Sequence, residues 1–113
     1  MNSPKNWGYF EGNLVQPQVA QGLLGSFYIY PSPIERTGRV RFFLNQAATV
    51  KVDILDIAGH KIGGVTMTNT TANEFNEVAF DFTKQANGVY ILRVEAKNGS
   101  QSEVKFKKFA VLK

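Results

Sequence analysis

"ANGVYILRVEAKNG", residues 86–99, decides the fold class. It opens on a turn dipeptide, Asn87-Gly88, and runs into the longest alternating stretch of the chain. Tyr90, Leu92, Val94 and Ala96 fall on one face, Arg93 and Glu95 on the other. A period of two is the mark of a half-buried β-strand, because successive side chains point to opposite sides of a sheet. A second turn dipeptide, Asn98-Gly99, tolerates positive φ and suits a tight hairpin into the basic segment that follows. The strand therefore has a neighbour before it and another after it.

Working outward, the same alternation recurs at short intervals. "SFYIY" reads as a strand that Pro31 and Pro33 end, since proline cannot donate to a ladder and restricts the residue before it. "RVRFFLN" alternates Val40, Phe42 and Leu44 with Arg39, Arg41 and Phe43, and "TVKVDILD" sets Val50, Val52 and Ile54 against Lys51, Asp53 and Leu55. These two are expected to pair as a hairpin. Gly59 falls where the following loop wants a left-handed residue. A weaker strand, residues 61–68, carries a bulge or bend at Gly63-Gly64. "TNTTANE" is a loop by composition, and "FNEVAFDF" a strand interrupted early, between Phe75 and Val78.

The final segment, "SEVKFKKFAVLK", has Val104 and Phe106 in one phase and Phe109 and Val111 in the other, which predicts a phase-switching bulge at Lys107-Lys108. Seven short strands with turn signals between them predict an all-β chain, an immunoglobulin-like antiparallel β-sandwich, with a closed barrel as the alternative. Tyr90 stands where a tyrosine corner would place a hydroxyl on nearby backbone. Residues 1–24, glutamine-rich and without sustained period, read as a linker or the tail of an upstream module. Trp7, Tyr9 and Phe10 in it are expected to pack onto the sandwich, and residues 25–113 form the domain.

Composition narrows the function classes. At 113 residues there is room for one core, and nine Phe with four Tyr supply bulky material for it. Without cysteine there is no disulfide framework and no thiolate chemistry. No run reaches the roughly 18 apolar residues of a bilayer span, and no signal peptide is visible. The expectation is a cytoplasmic protein or a piece of a longer chain. The formal charge of +4 is concentrated late: from Lys84 onward seven Lys or Arg face only Glu95 and Glu103. Such a bias suits either an anionic partner or a lysine-protected edge strand.

Catalytic, metal and cofactor readings find little purchase. His60 has no second imidazole or thiolate to share a metal, and reads as a loop histidine. Asp53 and Asp56 lack the oxygen-rich spacing of a calcium loop and read as a surface charge and a turn aspartate. No glycine-rich strand-to-helix junction supports a nucleotide site. Arg39, Arg41 and Phe43 share one outward face, a mixture of cation and aromatic that could bind carbohydrate or nucleic acid.

Taken in order, "IYPSP", "VRFFL", "VKVDILDIAGHKI", "NEVAFDF", "NGVYILRVEA" and "KKFAVLK" resemble the C-terminal sorting domains of proteins exported by the bacterial type IX secretion system, and the related immunoglobulin-like domain of flagellar hook-capping proteins. Pro31, Pro33, Asp56, Gly59, Gly88 and Tyr90 match that family's motifs. Ser32 stands in place of its usual asparagine, His60 in place of an arginine, and Leu55 in place of a tyrosine. The resemblance implies a non-catalytic, exported module on a larger protein, read by secretion-machinery proteins at the outer membrane, with no nucleic acid, membrane span or cofactor. Its candidate sorting surface is the last strand, through Lys107, Lys108, Val111 and Lys113. An alternative role is a structural or adhesive spacer that packs on an upstream domain of the same polypeptide.

Overall fold

The computed structural model describes residues 22–113. Seven strands follow in chain order: β1 (Leu24–Tyr30), β2 (Thr37–Leu44), β3 (Thr49–Asp56), β4 (Lys61–Met67), β5 (Glu74–Asp81), β6 (Gly88–Asn98) and β7 (Gln101–Val111). They form two antiparallel sheets, β1-β2-β5 and β4-β3-β6-β7. The sheets are separate, so the architecture is a sandwich and not a barrel. Its fourth strand pairs with the third, whereas in a constant-type immunoglobulin domain the fourth strand lies beside the fifth.

Alternation places the core as the sequence predicts. Val40, Phe42 and Leu44 from one sheet face Val50, Val52, Ile54, Leu92, Val94 and Ala96 from the other, all buried. Each such aliphatic or aromatic side chain contributes about 1.5–3 kcal/mol when removed from water. One end is closed by rings, with Phe82 edge-on to Phe109 at 5.6 Å and Tyr90 stacked on Phe109 at 5.9 Å. The Tyr90 hydroxyl donates to the Ala86 carbonyl at 2.6 Å, the bond expected of a tyrosine corner. Leu23 and Leu24 belong to this core as well, on the linker side of the boundary drawn at residue 25. Trp7, Tyr9 and Phe10 lie outside the described residues.

Three expectations are corrected. β2 and β3 are not a hairpin: β2 pairs with β1 and β5, β3 with β4 and β6. Their connection crosses between sheets. The Asn45 N–H donates to the Leu23 carbonyl at 2.9 Å, and its side-chain amide to the Gly22 carbonyl at 2.8 Å. Two strands that face each other across a core show the same alternation as two that pair, so periodicity cannot separate the cases. β5 is uninterrupted, with Phe75 opposite Phe43 on the outer face of its sheet.

The third correction concerns β7, which has no bulge at Lys107-Lys108 and pairs in unbroken register with β6 from Gly88↔Val111 to Asn98↔Gln101. Its apolar residues lie on two faces because both faces use them: Phe109 and Val111 enter the core, while Val104 and Phe106 stay on the outer face, exposed. The register shifts that do occur are in β1, between Leu24 and Phe27, and in the β3–β4 pair at Ile54/Leu55, beside Ile62 and next to the glycine pair. Gly59 (φ +91°) and Gly99 (φ +60°) hold the left-handed turn positions of the hairpins β3–β4 and β6–β7.

Candidate recognition surface

The last strand does two different jobs on its two faces. Glu103, Lys105 and Lys107 point to the sandwich side, where they reach the edge of β1. The Leu24 N–H donates to Glu103 Oε1 at 2.9 Å, Lys105 Nζ donates to the Leu24 carbonyl at 3.3 Å, and Lys107 Nζ donates to the Phe27 carbonyl at 2.8 Å. The Lys107 ammonium also lies 4.8 Å over the Phe27 ring. Edge strands expose unpaired backbone groups that invite pairing with other chains, and inward-pointing charges are one way to occupy them. Nearer the chain end Ile34, just past Pro31 and Pro33, completes this side by accepting from Leu112 and donating to Ala110, both at 2.9 Å.

The four candidate sorting residues therefore do not form one patch. Val111 is 1% exposed and supports the strand from within the core, and Lys107 is engaged with β1. Lys113 donates its backbone N–H to Asn87 Oδ1 at 3.0 Å and its ammonium to the carbonyls of Thr83 and Gln85, fastening the β5–β6 loop. Lys108 alone projects from the outer face. There it shares a shallow recess with Ile91 and Phe106, the latter 58% exposed, and Val104 lies further along the strand. The sequence reading missed Phe106 and Ile91 as surface residues. The signal was present in the unbroken alternation of 101–111, had the phase change been read as two apolar faces.

On the same outer face Asp53 is not the surface charge expected: it is 5% exposed, beneath Arg93 and Lys61. Arg93 Nη1 donates to Oδ2 at 3.3 Å, while Oδ1 has the Lys61 ammonium at 3.3 Å but out of hydrogen-bond alignment. Asp56 is the turn aspartate expected. Its Oδ1 accepts from the N–H groups of His60 at 2.8 Å and Ala58 at 3.0 Å, and the His60 backbone bond above all holds its carboxyl below the usual carboxylate range. His60 Nδ1 lies 3.3 Å from Asp56 Oδ2. Among the described residues no group of three or more His, Cys, Asp or Glu is placed to hold a metal ion.

The outer face of the other sheet carries a second cluster. Register sets Tyr28 opposite Arg41, Tyr30 opposite Arg39, Arg41 opposite Glu77 and Phe43 opposite Phe75. Tyr30 donates to Glu77 Oε1 at 2.7 Å, Arg39 to Oε2 at 3.3 Å, and Arg41 to the Tyr28 hydroxyl at 3.3 Å. The Arg41 guanidinium lies 4.7 Å over the Phe75 ring. Tyr28 and Phe43 both meet Phe75 edge-on, at 6.1 and 5.4 Å. Glu77 is held below its usual range first by the Tyr30 hydroxyl and then by the two arginines, and the same bond raises Tyr30. Tyr28, Tyr30, Phe75 and Glu77 join the Arg39–Arg41–Phe43 face only once β1 and β5 are placed on either side of β2.

A sandwich whose polar side chains pair, cap turns and cover a strand edge, and whose outer faces carry exposed rings and cations, has the make-up of a recognition module. The family comparison agrees: residues 28–110 match the family described as the Secretion system C-terminal sorting domain, and the chain belongs to it. Its class is thus a non-catalytic sorting signal for type IX secretion of a larger protein, exported to the cell surface or released. Comparison with curated proteins and with solved structures returns no match. No helix among the described residues is long and apolar enough to cross a membrane.

Proposed function

We propose that secretion-machinery proteins read this domain on the outer face of β6 and β7, around Phe106, Val104, Ile91 and Lys108. The observation that supports it is the exposure of Phe106 beside Lys108 on a strand whose other face is engaged with β1 and with the core. Phe106 stands with Val104 and Ile91 on one outward face, and an apolar group that includes an aromatic ring and is rimmed by polar residues is the composition of an interaction site. Lys107, Val111 and Lys113 then act as supports: they fix the strand and its end, so that the face is presented in one geometry. In this reading the upstream polypeptide is the cargo and the chain itself is no enzyme.

The test is delivery. The 113-residue chain is fused behind a signal peptide and reporter in a type IX host, and Phe106→Glu and Lys108→Glu are compared with the parent for reporter at the surface. Point substitutions are preferable to truncation, because removing the last residues would take Phe109 and Val111 out of the core. Both variants should melt within a few degrees of the parent while surface delivery falls several-fold. Undiminished delivery by both would place the address elsewhere.

A further inference from the structure

Phe106 and Lys108 belong to a larger block of outward residues. Register turns five cations outward on β4-β3-β6-β7, Lys51, Lys61, Arg93, Lys97 and Lys108, against two carboxylates, Asp53 and Glu95. The other acids of these strands are used elsewhere: Glu103 points inward to β1, and Asp56 is taken up by its own turn. Both outward carboxylates are spent within the face, Asp53 on Arg93 and Lys61 at 3.3 Å, Glu95 on Arg93 at 3.3 Å and Lys97 at 4.0 Å. Lys51 and Lys108 make no ion pair among the described residues. Arg93, opposite both Asp53 and Phe106, centres a block with Lys51 and Lys108 at opposite corners and Leu55 and Val104 at the other two. With i and i+2 about 6.8 Å apart and strands about 4.8 Å apart, the two lysines stand about 17 Å from each other at Cα.

We infer that the partner of this face, which rests on the reading proposed above, is a protein surface that sets carboxylates around an apolar socket, one against Lys108, another against Lys51, with Phe106 in the socket. Five cations against two carboxylates leave a positive surplus, and an interface selects the opposite sign in its partner. Because Asp53 and Glu95 already neutralise the middle of the block, the surplus lies at its two lysine corners, and no single phosphate or sugar acid reaches both. A nucleic-acid strand matches the charge but not the apolar groups: stacking platforms use several rings, and this block has one among Leu55, Ile91 and Val104. Phe106 stands in mid-strand, so an anionic bilayer takes it only by drawing Glu95 against its own headgroups. A folded surface with an apolar centre and an acidic rim meets all of these groups at once.

The experiment extends the delivery assay with changes of charge alone. Lys51→Gln and Lys108→Gln should each lower surface delivery about threefold and the pair about tenfold, while Lys84→Gln, an exposed lysine of the β5–β6 loop, stays within about twofold of the parent. The Lys51→Arg/Lys108→Arg pair keeps both charges and should recover at least half of what the glutamine pair loses. In outer membranes from the same host, carbodiimide should couple Lys51 or Lys108 of the parent to an aspartate or glutamate of a partner protein, located by mass spectrometry, and the arginine pair should form no such amide. Glutamine variants that deliver as the parent does while Phe106→Glu fails keep the face and overturn its acidic partner. Undiminished delivery by both Phe106→Glu and Lys108→Glu removes the face itself. Absence of any amide from these lysines to a partner carboxylate also overturns the inference. So does binding of the 113-residue chain to single-stranded DNA, or to vesicles of equal parts phosphatidylcholine and phosphatidylglycerol, that the glutamine pair abolishes, which would assign the face to nucleic acid or lipid.

Discussion

Gly63 and Gly64 are adjacent in β4, and alanine is expected to act on them with opposite sign. Neither lies in the left-handed region, so the backbone accepts a side chain at both. A Cβ on Gly63 would meet nothing within 4 Å. Replacing glycine there narrows the unfolded ensemble and should stabilise by about 0.4–1 kcal/mol. A Cβ on Gly64 would lie 2.5 Å from Asp53 Oδ1, 2.8 Å from Lys61 Cε and 3.2 Å from the Val52 carbonyl. The lysine stem can swing aside. The Val52 carbonyl sits in the strand backbone, and the Asp53 carboxylate is buried between Arg93 and Lys61, so moving it strains both ion pairs. Overpacking of this kind costs about 1–3 kcal/mol. Because the unfolded-state gain is common to both substitutions, their difference isolates that cost. For a domain of this size it corresponds to a gap of about 5–20 °C between the two melting temperatures. Thermal melts of Gly63→Ala, Gly64→Ala, Asp53→Ala and the Asp53→Ala/Gly64→Ala pair check it, the last by a coupling of about 1 kcal/mol or more if the carboxylate is what the methyl meets. A Gly64→Ala protein that melts at or above Gly63→Ala would refute the reasoning.

Tyr90→Phe removes one hydroxyl bond to an exposed turn and keeps the ring stack on Phe109, so denaturant unfolding should show a loss of about 0.5–1.5 kcal/mol. Lys107→Met keeps the stem against Phe27 but leaves the Phe27 carbonyl without its ammonium, and amide exchange should quicken in β1 with β3 and β6 unchanged. The Asp56 carboxyl is held low in the fold, so its contribution is present above the unfolded value and is lost as pH falls through the folded one. Below about pH 4 the melting temperature of the parent should drop more steeply than that of Asp56→Asn, and parallel acid limbs would count against the turn bond.

Much of this protein could be read without coordinates, and the reason is local. Alternation at 40–44, 50–54 and 90–96 dictates which side chains must share a face, and the core follows it residue by residue. Asn98-Gly99 and Gly59 mark their hairpins because few other residues accept the backbone angles required. Asp56 and Tyr90 act within a few residues of themselves, and their bonds run as the spacing implies.

What the tertiary structure decided is everything that depends on which strand lies beside which. Only the pairing of β2 with β5 brings Phe75 and Glu77 to the Arg39–Arg41 face. Only the approach of the β7 edge to β1 gives Glu103, Lys105 and Lys107 backbone partners some 80 positions away in the chain. Period two states that a residue faces one way or the other. Whether that direction meets core, solvent or a neighbouring strand's open edge is settled by contacts far apart in sequence, and for that reason the basic ending of the chain resolves into an inward clasp and an outward face.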